Sequence, residues 1–380
     1  MFRKYLAGLQ MSKPKVVTVV GTRPEIIRLS RLIPRLDEDF DHVLVNTGQN
    51  SDPRLNDIFF QDLELRQPDV WLKAPTGRFY EAIGTILSKV GSLLNDLRPD
   101  AFLVLGDTNS AISTLVAKRM GIPSYHMEAG NRSFDENVPE ETNRRLVDHV
   151  ADFNLPYNRF SELNLLREGL HPRFILRTGS PMREVLDHYG DKFARSEILD
   201  RLGFSPGGYI IASIHRQENV DSPERLANVV GALSDVSKIL KKPVVLSTHP
   251  RTRSRFESLG LSDLPGVKLM EPFAFTDYMS LQMHSYCAIS DSGTISEESA
   301  ILGFSAVTLR DSMERPEALE TGQILMSPAR GKILGEAVLK AKNLVAAMPE
   351  GYEISNFSGR VSRFVQSTYS ISNNWKGIKP

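Results

Sequence analysis

The chain has 380 residues and equal numbers of basic and acidic side chains, 46 of each, so its formal net charge is zero. This length exceeds one ordinary hydrophobic core and predicts two domains. Because the charges balance, the protein has no overall electric field that would attract it to nucleic acid or to an anionic membrane. No apolar run approaches the roughly 20 residues that a membrane span requires.

The start of the chain and its cysteine content set further limits. The first 11 residues are basic and then mildly apolar, too short and unfinished for a signal peptide. We therefore expect residues 1–14 to be a disordered extension, in which Met11 could itself be a start, and a cytoplasmic location follows by default. Cys287 is the single cysteine, which excludes an internal disulfide framework and a cysteine metal cluster.

Short apolar, β-rich runs alternate with helical patterns along the chain, which predicts parallel sheets covered on both faces. Two series of such runs predict an α/β protein with two doubly wound domains, residues 15–181 and 182–356, and a ligand cleft between their strand ends. A helical pattern in residues 357–380 could pack back on the first domain. The predicted strands are Val16–Val20, Val43–Asn46, Ala101–Leu105, Ser124–Met127, Phe153–Leu155 and Phe174–Arg177, then Tyr209–Ile214, Val244–Ser247, Val267–Met270, Ala288–Ser290 and Ala306–Leu309.

In the first domain, polar residues follow the predicted strands at the edge where a ligand would bind. A glycine-led turn with Arg23 follows the first strand, Asp107 and Glu128 follow two others, and a loop carries Glu140 and Arg144. Carboxylates gathered in a cleft repel one another, which raises the pKa of at least one and separates acid from base roles. Alternatively, Asp107 caps its helix and Glu140 pairs with Arg144 at helical spacing.

In the second domain, the segment from Cys287 to Glu298 predicts a strand, a tight turn and a helix start rich in small polar residues. Such a helix N-terminus suits a diphosphate, because its backbone N–H groups lack partners and its dipole end is positive. Ser290, Ser292 and Thr294 can add hydroxyl donors, and Glu298 could accept both hydroxyls of a ribose. Alternatively, serine and aspartate merely cap the helix.

Two other strand ends of the second domain carry charged residues. Arg310 and Arg315 could neutralise phosphate, hold a loop by ion pairs, or belong to a solvated charged loop. His215 could bind phosphate, shuttle protons or be structural, and His249 is a weaker case. The sequence lacks the metal spacing H-x-x-x-H and the motifs G-x-x-x-x-G-K-[ST] and G-x-S-x-G, which excludes the sites that these patterns form.

Six motifs, in order, resemble those of the UDP-N-acetylglucosamine 2-epimerase family. They are Gly21–Glu25, Gly106–Thr108, His126–Gly130, Pro139–Arg144, Asp291–Gly293 and Glu314–Glu317. The resemblance implies a GT-B fold of two Rossmann-like domains, UDP held mainly by the second domain, and a C-terminal helix that crosses back to the first. It also implies an isomerase that removes the C2 proton of a UDP-2-acetamido sugar as UDP leaves C1, then adds both back with the opposite C2 configuration. Neither a metal nor a nicotinamide cofactor is implied.

The resemblance also implies roles for individual residues and a partner. It makes Asp107, Glu128, Glu140 and His215 catalytic. It implies a UDP-sugar site formed by Arg23, Arg144, His215, Ser290, Ser292, Gly293, Thr294, Glu298, Arg310 and Arg315. We expect a homodimer that binds neither nucleic acid nor membrane.

Several positions depart from the common family pattern and resemble the branch that makes UDP-N-acetyl-L-fucosamine by 2-epimerisation of a 6-deoxy-talose precursor. Thr294 stands where a second glycine is usual, Arg28 where lysine is usual, and Asn50 where many members have histidine. In bacterial members that histidine belongs to a second, activating UDP-GlcNAc site, and asparagine cannot carry its charge. We therefore predict a 6-deoxy substrate without strong activation by UDP-GlcNAc. The UDP-GlcNAc/UDP-ManNAc pair is the other branch, and either would serve surface polysaccharide synthesis.

Three alternatives to this function stay open from the sequence. A GT-B glycosyltransferase would have the same UDP-binding site but would also need a groove for its acceptor. A hydrolysing 2-epimerase would release UDP, and a nucleotide-sugar sensor would keep the turn at Ser290 while it could lose Asp107 and Glu128. Three clustered acids favour the epimerase, because a transferase needs fewer.

Overall fold

The structure is a computed structural model that describes residues 12–48, 60–248, 253, 255, 256, 258–260, 264–344 and 346–378. Within these residues the strands form two six-stranded sheets, and neighbouring strands run parallel in both. Helices alternate with the strands, so the predicted α/β fold with two doubly wound sheets is confirmed. The predictions for Asn50, His249 and residues 1–11 lie outside the described residues.

The first sheet has the strand order β3-β2-β1-β4-β5-β6, so the winding reverses between β1 and β4. We call this sheet and its helices the first half. Its strands are β1 (Lys15–Val20), β2 (Asp41–Asn46), β3 (Val70–Trp71), β4 (Ala101–Leu105), β5 (Ser124–Met127) and β6 (Phe153–Leu155). Its helices are α1 (Arg23–Leu29), α2 (Leu32–Asp39), α3 (Phe79–Leu97), α4 (Thr114–Arg119), α5 (Pro139–Val150) and α6 (Arg159–Arg167).

The second sheet repeats this winding with the order β12-β11-β10-β7-β8-β9, so its reversal lies between β7 and β10. We call this sheet and the helices that lie between residues 198 and 341 the second half. The strands are β7 (Ile210–Ser213), β8 (Val244–Ser247), β9 (Val267–Met270), β10 (Ala288–Ser290), β11 (Ala306–Leu309) and β12 (Leu325–Ser327). The remaining helices are α7 (Met182–Ala194), α8 (Ile198–Leu202), α9 (Gln217–Val220), α10 (Pro223–Leu240), α11 (Phe275–His284), α12 (Ile295–Leu302), α13 (Pro316–Glu320), α14 (Gly331–Ala341), α15 (Phe357–Thr368) and α16 (Ser372–Trp375).

The strand prediction was wrong at three places. The predicted strand at Phe174–Arg177 is instead a 3₁₀ turn, Pro172–Phe174, followed by a single bridge between Ile175 and Asn154. Proline fixes φ in the range of a helical turn, and this favours the turn over an extended start. Strands β3 and β12 were missed, because two or three residues at a sheet edge give no measurable alternation.

Helices α7 and α15 pack with the core of the first half. Val185 and Tyr189 of α7 share a buried apolar cluster with Val16 of β1, and Val361 and Val365 of α15 belong to the same cluster. Helix α15 lies against α2, and α7 also contacts α11 and α12 of the second half. The two sheets are therefore joined through apolar packing around α7. Of the helices in the described part of the chain, none combines the length and the apolar character that crossing a membrane requires.

Candidate active site

The site lies where the two points of winding reversal face each other. The turns after β1, β4 and β5 meet those after β7, β10 and β11, and a cavity of about 600 Å³ lies between them. Ligands in open α/β sheets bind outside the carboxyl ends of the strands at such points. We call this cavity the wide compartment. A second, adjoining cavity, the narrow compartment, extends from it over the second half.

Asp107 and Glu140 line one wall of the wide compartment. Arg144 donates from its Nε to Asp107 Oδ2 at 2.6 Å, a charge-assisted hydrogen bond. Burial, together with the nearby charge of Asp107, raises the pKa of Glu140. The cluster therefore holds one carboxylate that is paired with an arginine beside another whose pKa is raised, mainly by burial.

The structure does not support the alternative hypotheses that Asp107 caps a helix and that Glu140 pairs with Arg144. Asp107 forms an ion pair with Arg144. The residue before the 3₁₀ turn that follows is Ser110, so Asp107 does not cap this turn. The glutamate that pairs with Arg144 at helical spacing is Glu141, at 3.1 Å.

Glu128 lines another part of the same cavity, directly after β5. Its backbone has φ of 65°, a left-handed conformation that few non-glycine residues adopt. Its side chain accepts a hydrogen bond from Asn131 Nδ2 at 3.1 Å and forms an ion pair with Arg315 of the second half. Arg28 lies 3.7 Å away on the first half.

The narrow compartment is built mostly from the second half around the turn after β10. Ser290, Ser292, Thr294 and Glu298 line it, together with the apolar side chains of Ile27, Phe275, Tyr278 and Met279. The Glu298 carboxylate accepts a hydrogen bond from Gln282 at 3.1 Å, and burial raises its pKa. A buried acceptor beside an apolar wall suits a ribose next to a flat base.

Asp291 ties this turn to the strand beside it. Its carboxylate accepts hydrogen bonds from the backbone N–H groups of His215 and Arg216 at 3.0–3.1 Å and from Asn219 Nδ2 at 2.9 Å. Asp291 is therefore engaged with the neighbouring turn and does not cap α12. The residue before α12 is Thr294, which makes no side-chain capping bond.

His215 lies where the two compartments join. It lines both cavities, as do Ser292 and Thr294, and 42% of its side-chain surface is accessible. Its Nδ1 is 3.1 Å from Asp291 Oδ1. Partial desolvation between the walls of the cleft lowers the pKa of His215; Asp291 opposes this effect, while Arg23 and Arg216 add to it.

The predicted arginines take different positions. Arg23 lines the narrow compartment, and Arg144 and Arg315 line the wide one, as does Gly293. Arg310 lies outside both linings and pairs through Nη1 with Glu314 Oε2 at 2.5 Å. Glu314 also accepts from Arg216 at 2.6 Å, so Arg310 sits behind a carboxylate that faces the cavity.

Three groups of functional interest were not predicted. Glu25, in the first turn of α1, accepts hydrogen bonds from Thr108 Oγ1 at 2.6 Å, Ser110 Oγ at 2.9 Å and Gly21 N at 2.7 Å. Burial raises the pKa of Glu25 to about 7, although these hydrogen bonds act to lower it. Glu297, next to Glu298, forms a buried ion pair with Arg28 at 2.6 Å.

The third group is a buried network under the turns that carry Asp107 and Glu128. His126 Nδ1 lies 2.8 Å from Asp148 Oδ1, and its Nε2 lies 2.8 Å from the carbonyl oxygen of Gly106. The same Asp148 accepts from the backbone N–H of Gly130. Arg132 completes the network with an ion pair to Asp148 at 2.7 Å. His126 stood inside a quoted motif, but its position on a buried strand gave no sign of this role.

In the described part of the chain, no group of three or more His, Cys, Asp and Glu side chains is arranged to hold a metal ion. Cys287 is buried, and burial raises the pKa of its thiol to about 12.

Comparison with known proteins gives consistent matches over most of the chain. A family profile described as UDP-N-acetylglucosamine 2-epimerase matches residues 34–365. Among solved structures, UDP-N-acetylglucosamine 2-epimerase from Rickettsia bellii is 37% identical with a TM-score of 0.90, and the match covers 97% of this chain and 100% of that one.

Two further proteins extend the comparison. UDP-GlcNAc 2-epimerase from Methanocaldococcus jannaschii, solved in complex with UDP-GlcNAc and UDP, is 31% identical with a TM-score of 0.88, covering 93% of this chain and 99% of that one. UDP-2,3-diacetamido-2,3-dideoxy-D-glucuronate 2-epimerase from Pseudomonas aeruginosa is 32% identical over 358 residues, 92% of this chain and 99% of that protein.

Proposed function

The chain belongs to the UDP-N-acetylglucosamine 2-epimerase family of isomerases, and from this premise we propose that it interconverts the C2 epimers of a UDP-2-acetamido sugar without hydrolysing it. UDP occupies the narrow compartment and the sugar occupies the wide one. Glu298 accepts the ribose hydroxyls, and the diphosphate lies at the junction beside His215, Ser292 and Thr294.

The observation that carries this proposal is the distribution of charge along the joined compartments. Hydroxyl groups and one buried acceptor line the narrow end, while Asp107, Glu128 and Glu140 line the wide end. A 2-epimerisation needs two acid–base groups near C2, because one residue cannot reach both faces of the sugar. Asp107 is paired with Arg144, while burial and the nearby charge of Asp107 raise the pKa of Glu140, so the two carboxyl groups lie in environments that suit different acid–base roles.

The chemistry balances without an outside reactant. One carboxylate takes the proton from C2, the C1–O bond breaks with its electron pair leaving on UDP, and a 2-acetamidoglucal forms. UDP then adds back to C1 while a carboxylic acid protonates the other face of C2. Charge that develops on the diphosphate is stabilised by the N-terminus of α12 and by the nearby His215 and Arg23.

Turnover in deuterated water tests this mechanism. We expect the recovered UDP-sugar to carry deuterium at C2, measured by mass spectrometry and NMR. Epimerisation without label at C2 contradicts the elimination mechanism. Transfer of the sugar to an acceptor, or release of free UDP in step with turnover, favours the glycosyltransferase or the hydrolysing epimerase instead.

For the sugar itself we propose the 6-deoxy-L-talo/L-fuco pair, on the sequence features that resemble that branch. Arg28, one of these features, lines the wide compartment and is held in an ion pair with Glu297 at 2.6 Å, and it supports the branch as a resemblance. Rates with the 6-deoxy-talo sugar and with UDP-GlcNAc separate the branches. Brisk, sigmoidal turnover of UDP-GlcNAc without turnover of the 6-deoxy sugar assigns the protein to the UDP-GlcNAc branch.

We propose further that the reaction needs neither a metal nor a nicotinamide and that the protein is a homodimer. Dialysis against EDTA should leave turnover unchanged, and loss of activity that a divalent metal restores contradicts the first point. Light scattering should give twice the chain mass of 42.5 kDa. A mass equal to one chain contradicts the second.

A further inference from the structure

Four charged side chains form a closed ring of alternating sign beside the wide compartment. Arg28 Nη2 lies 2.6 Å from Glu297 Oε2, and Glu297 Oε2 lies 3.6 Å from Arg315 Nη2. Arg315 contacts Glu128 directly, and Glu128 Oε2 lies 3.7 Å from Arg28 Nη1. Two positive and two negative charges make the ring neutral. We call these four residues the charge ring.

The charge ring is shared equally between the two halves. Arg28 of α1 and Glu128 after β5 come from the first half, while Glu297 of α12 and Arg315 before α13 come from the second. Its two shortest contacts, from Arg28 to Glu297 and from Arg315 to Glu128, both cross between the halves. The longer contacts join residues of the same half, so each half holds one neutral pair of its own.

Burial makes the ring depend on all four members. The side chains of Arg28, Glu297 and Arg315 are 4%, 0% and 1% exposed, and Glu128, at 12%, is the member most open to the cavity. Burial works against the charge of Glu297, yet Arg28 and Arg315 outweigh it and lower its pKa. Loss of one member therefore leaves an uncompensated charge in a poorly solvated place.

Neighbouring groups fix the geometry of the ring. The aromatic ring of Tyr157 lies beside both guanidinium groups, 5.6 Å from Arg28 Cζ and 5.3 Å from Arg315 Cζ. Its hydroxyl lies 3.5 Å from Glu128 Oε2. Ser180, in the connection that leads into α7, donates to Glu297. The carboxylate of Glu128 is thus oriented by groups from both halves.

We infer that Glu297 is a positioning residue for Glu128, acting through Arg315 and Arg28, so that the acid–base group is oriented for reaction only when the two halves meet. This inference rests on the proposed function, which gives Glu128 its acid–base role. Glu297 lines neither compartment and touches no reacting atom. Its effect on turnover must therefore pass through the two arginines.

The variant Glu297→Gln tests the inference, because glutamine keeps the shape and can accept from Arg28 and Ser180 but removes the charge between the arginines. We expect kcat to fall on the order of 10²-fold, because a displacement of about 1 Å can have that effect. The dissociation constant for UDP should change little. Small-angle scattering with UDP bound should give a larger radius of gyration than wild type.

Two further variants separate positioning from folding. Asp152→Asn removes another buried carboxylate, which pairs with Lys118 and Lys376 outside both compartments, and it should destabilise the protein without lowering kcat. The double variant Arg28→Met/Glu297→Met removes one whole ion pair, and this is milder for folding than removing one partner. We expect it to restore the melting temperature relative to Glu297→Gln but not kcat.

The outcomes are distinguishable from failure of the proposed function. If wild type exchanges no deuterium at C2, the proposed function fails, and the ring is judged by the scattering result alone. Normal kcat and unchanged radius of gyration in folded Glu297→Gln overturn the inference. Recovery of kcat together with stability in the double variant also overturns it, because the ring would then serve only folding.

Discussion

The two compartments of the site are built on different principles. The narrow compartment takes most of its lining from the second half and combines hydroxyl groups with an apolar wall around Phe275 and Tyr278. The wide compartment takes its lining from both halves and is dominated by charged side chains that are already paired, such as Asp107 with Arg144 and Glu314 with Arg216. Under the proposed function, this difference separates affinity from chemistry: the nucleotide would be held mostly by the second half, while reaction would need both.

The sharpest way to break this comparison is to remove an acid at the wide end. Asp107→Asn and Glu128→Gln should each lower kcat by roughly 10²–10⁴-fold, the contribution typical of a positioned acid or base. The dissociation constant for UDP, measured by calorimetry, should stay near that of wild type, because neither residue lines the narrow compartment. Near-normal turnover in either variant contradicts its acid–base role, and a matching loss of UDP affinity contradicts the separation of the two ends.

A change at the narrow end should have a smaller effect, and it should lower UDP affinity more than kcat. Glu298→Ala removes a buried acceptor, and hydrogen bonds to a charged group contribute about 1.5–3 kcal/mol each. We expect UDP affinity to fall about 10- to 100-fold by calorimetry, with kcat at saturating substrate less affected. Gln282→Ala is the matched control, since it removes the partner of Glu298 and leaves the acceptor itself. Unchanged UDP affinity in Glu298→Ala would place the ribose elsewhere.

The sequence predicted the residues at strand ends better than those within helices. Asp107 and Glu128 follow buried parallel strands and Ser290 ends one, and the carboxyl ends of such strands converge on one edge whatever the details of packing. Glu297 and Glu298 are neighbours on α12, and a helix turns about 100° between them, so one joins the charge ring while the other faces the narrow compartment.

Partners that are distant along the chain explain the rest of what the sequence missed. Arg28 and Glu297 are 269 positions apart, and only the docking of the two halves brings them together. His126 and Asp148 lie on different elements of one half, and their contact depends on how α5 packs against β5. For Arg310, which follows β11, the sequence left open a contact to phosphate or an ion pair within the loop, and the structure shows an ion pair with Glu314.

The smallest expected effect is a change in stability with pH that comes from Glu25. This residue lines the wide compartment and not the narrow one, so the change should leave UDP binding unaffected. Its pKa of about 7 exceeds the ordinary value of 4.5, so the folded protein binds this proton more tightly than the unfolded chain does. The stability that Glu25 contributes is therefore complete below pH 4.5 and is lost as pH rises towards 7, at about 1.4 kcal/mol per pH unit.

Glu25→Gln should fit the same pocket, since the amide oxygen can accept from Gly21 N and the Thr108 hydroxyl can accept from the amide nitrogen. Denaturant melts of both proteins at pH 5.5 and 6.5 should show wild type losing stability relative to the variant. A constant difference between the two would mean that Glu25 keeps its charge throughout this range, and UDP affinity should be the same in both proteins at either pH.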